Sequence, residues 1–136
     1  MTNEVYKSIQ KHEGLQLNPY RCTAGKLTIG YGRNLDDNGI SKEEADEMLS
    51  NDVKKINDQL HDKIDSFRFF DDRLQDILIE MAYQMGVNGL LQFKKMLHHL
   101  SNFDLESASI EMLDSKWAKQ TPNRAKELAN LMKGGN

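Results

Sequence analysis

Apolar positions recur every three or four residues along most of the chain and alternate in one short stretch. Val5 and Ile9 stand four apart in the segment Glu4 to Glu13, on one helix face. Gly14 follows, a residue suited to the left-handed conformation that closes helices. From Leu15 to Tyr31 the period changes. Leu27, Ile29 and Tyr31 alternate, and Pro19, Gly25, Gly30 and Gly32 punctuate, as in short twisted strands joined by turns. Ser41-Lys42-Glu43-Glu44 is a capping box opening a long amphipathic helix, in which Ala45, Met48, Leu49, Val53, Ile56, Leu60 and Ile64 keep the helical period. Leu74, Ile77, Leu78, Met81, Ala82 and Met85 repeat it, with extra apolar flanks at Ile79 and Tyr83, so this helix is expected to be surrounded by others and to stop at Gly86. Further helices are predicted for Leu90 to Leu100, for Leu105 to Asp114 behind Asp104 as cap, and from a Thr121 cap with Pro122 in the first turn to about Met132. The pattern predicts an α+β chain, mostly helical, with one small antiparallel sheet.

The 136 residues and 15.6 kDa suit a single domain, and 38% hydrophobic residues can fill one core. With 29% charged residues there is no apolar run near the roughly 20 residues that span a bilayer, which excludes a transmembrane enzyme. A net charge of -3 and a pI of 5.8 lack the broad positive field of general nucleic-acid binders. The single cysteine excludes an intramolecular disulfide and metal sites built on several thiolates. Met1 to Lys7 has neither the basic start nor the apolar core of a secretory signal, so the chain is expected to stay in the cytoplasm where it is made. Charge is uneven. From Lys116 to Asn136 five basic residues face one acid, Glu127, which suits contact with an anionic polymer on one side of an otherwise acidic body.

Three familiar motifs fail on spacing. Gly30-Tyr31-Gly32 lacks the third glycine of a dinucleotide fingerprint, since position 35 is Leu35. Asn34, Asp36 and Asn38 resemble a calcium loop, yet Ala45 stands where a bidentate Glu is needed, and a plain Asp37-Asn38-Gly39 turn fits better. His12, His61, His98 and His99 include no pair four apart, so no metal and no cofactor is expected.

What remains is His12-Glu13-Gly14-Leu15, Pro19-Tyr20-Arg21-Cys22, Gly25, and Thr28-Ile29-Gly30-Tyr31-Gly32, which bring a helix-terminal carboxylate, a thiol and a hydroxyl close in sequence. Glycosidic cleavage needs a proton donor for the leaving oxygen and a group that activates water on the opposite face of the sugar. Glu13 is the candidate donor, with Leu15 and Leu17 expected to help desolvate it.

Glu13, Cys22 nine residues later and Thr28 fifteen later, followed by Ile29-Gly30-Tyr31-Gly32, resemble the active-site segment of the T-even phage lysozymes, the endolysin muramidases of glycoside hydrolase family 24. Gln84-Met85-Gly86, and Trp117 followed by Gln120-Thr121-Pro122-Asn123-Arg124-Ala125, agree with the same family, and the resemblance covers nearly the whole chain. It implies a lysozyme-like two-lobed fold within one domain, 1–136. A small sheet-bearing lobe, about 14–65, and a helical lobe, about 1–13 and 66–136, would be joined by the long helix and flank a cleft. The implied reaction is hydrolysis of the β-1,4 bond between N-acetylmuramic acid and N-acetylglucosamine in bacterial peptidoglycan, with inversion and host cell lysis. Inversion implies catalytic groups roughly 6.5–9.5 Å apart, leaving room for a water.

Carried over by resemblance, Glu13 is the general acid and Thr28 helps hold the attacking water. Arg124 corresponds to the family arginine that pairs with the catalytic Glu. Gly32, Asn34, Tyr83, Gln84 and Thr121 join it as substrate-binding residues, while Trp117 reads as core packing. The T-even members carry Asp where this chain has Cys22, and some related endolysins have Cys, so the chain resembles a Glu-Cys-Thr variant. Cys22 is expected to act either as a thiolate base or as a neutral group positioning water, and Arg21, if it points inward, would favour ionisation. Arg33 stands where those relatives have a His paired with an acid, so an Arg33–Asp52 pair is expected. The sequence ends sooner than those relatives, lacking their last tryptophan-containing segment. The resemblance further implies a monomer made in the host cytoplasm. It would reach the wall after a holin-type membrane protein opens the membrane, without direct contact with that protein. Two other readings stand: a non-catalytic wall-binding module, and a thiol amidase or peptidase using Cys22 with His12.

Overall fold

A computed structural model describes residues 1–134 and divides the chain into two compact units, Met1–Met48 and Leu49–Asn136. The chain is α+β and mostly helical, with a three-stranded antiparallel sheet near the N-terminus, as the hydrophobic pattern predicts.

In the first unit, α1 (Asn3–Glu13) ends at Gly14, whose φ of 73° and N–H to Gln10 O bond close the last turn. β1 (Gln16–Arg21), β2 (Leu27–Gly30) and β3 (Arg33–Asn34) follow in spatial order β1-β2-β3. Pro19, which has no N–H for a ladder, sits in edge strand β1 where the pairing is irregular between Gln16 and Tyr20. The alternation of Leu27 and Ile29 gave the right period; Thr28 is the buried residue of β2, and its apolar neighbours are half-exposed. The expected Asp37-Asn38-Gly39 turn is a one-turn helix, α2 (Leu35–Asn38), capped by the Asn34 side chain on Asp37 N–H. The capping box forms in both directions. Ser41 Oγ accepts Glu44 N–H at 3.1 Å and Glu44 Oε1 accepts Ser41 N–H at 2.9 Å, starting α3 (Lys42–Lys63).

The second unit holds the hydrophobic core. A 3-10 turn (Phe67–Phe69) buries Phe67 and leads to α4 (Asp72–Met85), capped by Asp71 Oδ1 on Leu74 N–H. Leu74, Ile77, Leu78, Met81 and Ala82 are buried, and Gly86, at φ 84°, stops the helix as expected. The single helix expected from Leu90 to Leu100 is two, α5 (Val87–Leu91) and α6 (Lys94–Ser101), broken where the Phe93 ring turns edge-on to Trp117 at 6.3 Å. α6 closes with a Schellman arrangement, Asp104 N–H on His99 O and Phe103 N–H on Leu100 O, with Phe103 at φ 55° in the position glycine ordinarily fills. Asp104 then caps α7 (Leu105–Leu113) through Ser107 N–H, as predicted. α8 (Lys116–Gln120), too short to show a period, carries the buried Trp117 and precedes α9 (Pro122–Met132). Thr121 precedes α9 without capping it, because its hydroxyl donates instead to Trp117 O at 3.0 Å. No helix among the described residues is long and apolar enough to cross a membrane.

Candidate active site

Glu13, Cys22, Thr28, Gly32 and Asn34 all belong to the first unit. Glu13 is the last residue of α1, and its carboxylate lies over the turn between β2 and β3: a Cβ on Gly32 would stand 3.1 Å from Glu13 Oε2. Gly32 also has φ 87°, a conformation that strains any L side chain, and a Cβ there would have to push the Glu13 carboxylate aside. Glu13 itself is exposed, and Leu15 and Leu17, at 50% and 76% exposure, do not provide the desolvating cover expected of them.

Cys22 and Thr28 meet across the β1–β2 hairpin. Pairing Tyr20 with Thr28 and Arg21 with Leu27 leaves Cys22 at the start of the turn, where its N–H donates to Lys26 O at 2.9 Å and its carbonyl accepts Gly25 N–H at 2.8 Å. The backbone N–H of Lys26 and then that of Ala24 hold the Cys22 thiol below its ordinary value. Partial burial opposes them, and the Thr28 hydroxyl and the Cys22 amide add smaller lowering effects. Thr28, 4% exposed, donates its hydroxyl to Lys26 O at 2.9 Å. Arg21 does not supply the expected help. Its guanidinium goes to Gly25 O at 3.1 Å and to Asp36 Oδ2 at 3.5 Å, so oriented backbone amides replace a side-chain cation as the cause.

The acids of α2 brace this hairpin. Asp36 Oδ2 accepts Leu27 N–H at 2.7 Å and Asp37 Oδ1 pairs with Lys26 at 3.1 Å. The sequence pattern signals neither role: Asp36 reads as part of a failed calcium loop and Asp37 as part of a turn. Asn34 uses Oδ1 on Asp37 N–H and Nδ2 on Asp37 Oδ2, both at 2.9 Å, and with Tyr31, Gly32, Arg33 and Asn38 lines a depression of about 430 Å³.

Arg33 overturns another expectation. Its partner is Glu44, with Nη1 on Oε1 at 2.9 Å and Nη2 on Oε2 at 2.8 Å, while Nη1 also reaches Gly39 O. The capping box holds Glu44 at the start of α3, where both carboxylate oxygens meet the guanidinium fork, and that fork is therefore not left for Asp52. The Arg33 hydrogen bonds, with the Ser41 N–H next, lower Glu44 from 4.5 to about 2.

Tyr83, Gln84, Thr121 and Arg124 belong to the second unit. Tyr83 is exposed at the end of α4 and lines a groove of about 700 Å³ with Ile56, Gln59 and Asn88. Gln84 Oε1 accepts the Trp117 indole N–H at 2.8 Å, tying α4 to α8, and Trp117 packs in the core as expected. Arg124 Nε donates to Glu80 Oε2 at 2.7 Å, so within its unit this arginine is oriented by an acid of α4. His12, the base an amidase would need, has Nδ1 at 3.3 Å from Ser8 Oγ and is not among the groups acting on the Cys22 thiol. No group of three or more His, Cys, Asp or Glu among the described residues could hold a metal ion.

Residues 10–133 match the family model described as phage lysozyme. The chain belongs to the phage lysozyme family. This is a family of glycoside hydrolases acting on bacterial cell wall, so the chain is an enzyme with peptidoglycan as the implied substrate. Among curated relatives, it is 24% identical over 165 residues to a probable T4-type lysozyme 2 of Dictyostelium discoideum, covering 99% of this chain and 96% of that one. It is 29% identical over 119 residues to an endolysin of Acyrthosiphon pisum secondary endosymbiont phage 1, covering 85% and 77%. It is also 28% identical over 156 residues to the pre-baseplate central spike protein Gp5 of Enterobacteria phage T4, covering 94% of this chain but 27% of that protein.

Proposed function

We propose that this phage lysozyme is an endolysin muramidase that hydrolyses the β-1,4 bond between N-acetylmuramic acid and N-acetylglucosamine with inversion. The observation that carries the mechanism is the Cys22–Thr28 hairpin, with a thiol held low by two backbone amides beside a buried hydroxyl. Glu13 gives its proton to the leaving glycosidic oxygen as the C–O bond breaks. On the other face of the sugar, the Cys22 thiolate accepts a proton from water while that water's oxygen bonds to the anomeric carbon. The Thr28 hydroxyl holds the water in line, and the lowered thiol supplies the base form at a lower pH than an ordinary cysteine does. Transfer of the thiol proton back to Glu13 through solvent resets the pair.

Gly32 and Asn34, together with Tyr83, Gln84, Thr121 and Arg124, are the proposed substrate contacts. Arg124 is supported by its geometry: Glu80 takes Nε, and among the described residues the two amino groups remain for an anionic or hydroxyl partner. The enzyme acts as a monomer. It accumulates in the host cytoplasm and lyses the cell once a holin-type membrane protein gives it access to the wall. The test is product chemistry. Digestion of purified peptidoglycan is expected to give hydrated N-acetylmuramic acid reducing ends, whereas anhydro ends would replace hydrolysis by transglycosylation and cut peptides would replace the glycosidase reading altogether.

A further inference from the structure

One peptide group anchors both members of the pair assigned to the water. The carbonyl of Lys26 accepts the Cys22 N–H and the Thr28 hydroxyl, each at 2.9 Å, so both of its lone pairs are engaged. The other end of the same planar unit, the Leu27 N–H, donates to Asp36 Oδ2 at 2.7 Å. The β2–β3 ladder ends one residue short of Leu27: Ile29 pairs with Arg33 and Thr28 with Asn34, and the chain then turns into α2, whose second residue is Asp36. Arg21 steadies that acid, with Nη1 at 3.5 Å from Asp36 Oδ2 and at 3.1 Å from Gly25 O.

Thr28 has a single hydroxyl proton, and the Lys26 carbonyl takes it. Toward any other partner the hydroxyl offers lone pairs alone, so a water bound there donates one proton to Thr28 and has its second free for the Cys22 thiolate. We infer that Asp36 is a positioning residue for the hydrolysis: by gripping the Lys26–Leu27 peptide it keeps the Thr28 proton on Lys26 O and so makes Thr28 an acceptor for the attacking water. The inference rests on the muramidase reading above, in which Cys22 and Thr28 face that water. On attack, the water oxygen bonds to the anomeric carbon and one proton passes to the Cys22 sulfur. The other stays on the oxygen, held by Thr28, as the new sugar hydroxyl. A carboxylate on the N–H end also polarises the peptide and strengthens its carbonyl as an acceptor. Without Asp36, solvent replaces the acid at this exposed N–H, the peptide is free to tilt, and the Thr28 proton can turn toward the water it should receive from. Asp37 is the contrast. It meets the side chain of Lys26, at 3.1 Å between two exposed groups, and an exposed pair of this kind contributes little.

The test is a double-mutant cycle, with kcat and KM taken from initial release of reducing ends over a range of purified peptidoglycan concentrations. Asp36→Ala is expected to lower kcat about tenfold or more with KM within about twofold, because the acid acts on the water and not on the sugar. In a Thr28→Val background the same substitution should cost less than about threefold, since the group it acts through is gone. Asp36→Asn keeps an oxygen for the Leu27 N–H and should recover most of kcat, and Asp37→Asn should stay within about threefold of wild type. All variants are melted in parallel, and Asp36→Leu takes the place of Asp36→Ala in the cycle if the latter is unfolded at the assay temperature. A purely structural brace gives equal losses in both backgrounds. That result, or a kcat for Asp36→Ala within about threefold of wild type, overturns the assignment. Loss of activity in Thr28→Val with none in Asp36→Ala contradicts the role of Asp36 alone. A wild-type protein that releases no reducing ends contradicts the muramidase reading and the role of Asp36 with it.

Discussion

Replacing Thr28 with Val separates the chemistry of the hairpin from its stability. Valine keeps the shape of threonine and suits a strand, so the only loss is the hydroxyl that donates to Lys26 O at 2.9 Å. That carbonyl keeps the Cys22 N–H at 2.9 Å, so it is not left bare, and the cost is that of one ordinary hydrogen bond, about 0.5–1.5 kcal/mol. For a chain of this size that corresponds to a fall in Tm of at most about 5 °C. Activity is expected to fall much further, by about 10²-fold or more, because the water loses its orienting group. The thiol responds in a third, smaller way. Thr28 ranks below the Lys26 and Ala24 amides among the groups lowering Cys22, so the pH profile of its alkylation should move upward only modestly. Melting, turnover on purified wall and alkylation rates between about pH 6 and 10 measure the three effects separately. Turnover within a few-fold of wild type would refute the assigned role, and loss of folding would refute the hydrogen-bond accounting.

The Arg33–Glu44 clamp predicts a particular acid sensitivity. Glu44 falls from 4.5 to about 2 on folding, so its contribution is fully present above about pH 4.5 and is lost as pH drops through about 2. Urea midpoints between pH 2 and 7 should lose part of that slope in Arg33→Met, and an unchanged slope would contradict the pairing. Gln84→Leu strands the Trp117 indole N–H at a site 8% exposed, for an expected loss of about 1–3 kcal/mol. Gln84→Glu retains an acceptor and should melt higher than Gln84→Leu; equal melting would contradict the bond.

Features set by neighbours in sequence were legible. The Ser41–Glu44 box, the Asp104 cap and the stops at Gly14 and Gly86 depend on groups within a few residues of one another, and each forms. Features decided by tertiary partners were not. Nothing in the spacing from Leu90 to Leu100 signals a break, which coincides with the edge-on meeting of Phe93 and Trp117. Thr121 has the chemistry of a cap and spends its hydroxyl on Trp117 O instead. Alternation at Leu27 and Ile29 gave the strand but could not say which face is buried, and the answer put the hydroxyl of Thr28 inside. The proposed site residues of the hairpin stand close together in the sequence. Their support was not legible, because Asp36, Asp37 and Glu44 take their roles from strands that the sequence does not place beside them.

The central claim is that Glu13 and Cys22 carry a hydrolytic cleavage of the glycan, and its most direct test compares wild type, Glu13→Gln, Cys22→Ser and Cys22→Asp on one preparation of purified peptidoglycan by mass spectrometry. The account predicts hydrated N-acetylmuramic acid reducing ends from wild type and Cys22→Asp and almost none from the other two. The wild-type rate should rise with pH through a thiol ionisation below the ordinary 9.0. Undiminished release of those ends by Cys22→Ser, or by Glu13→Gln, would contradict it.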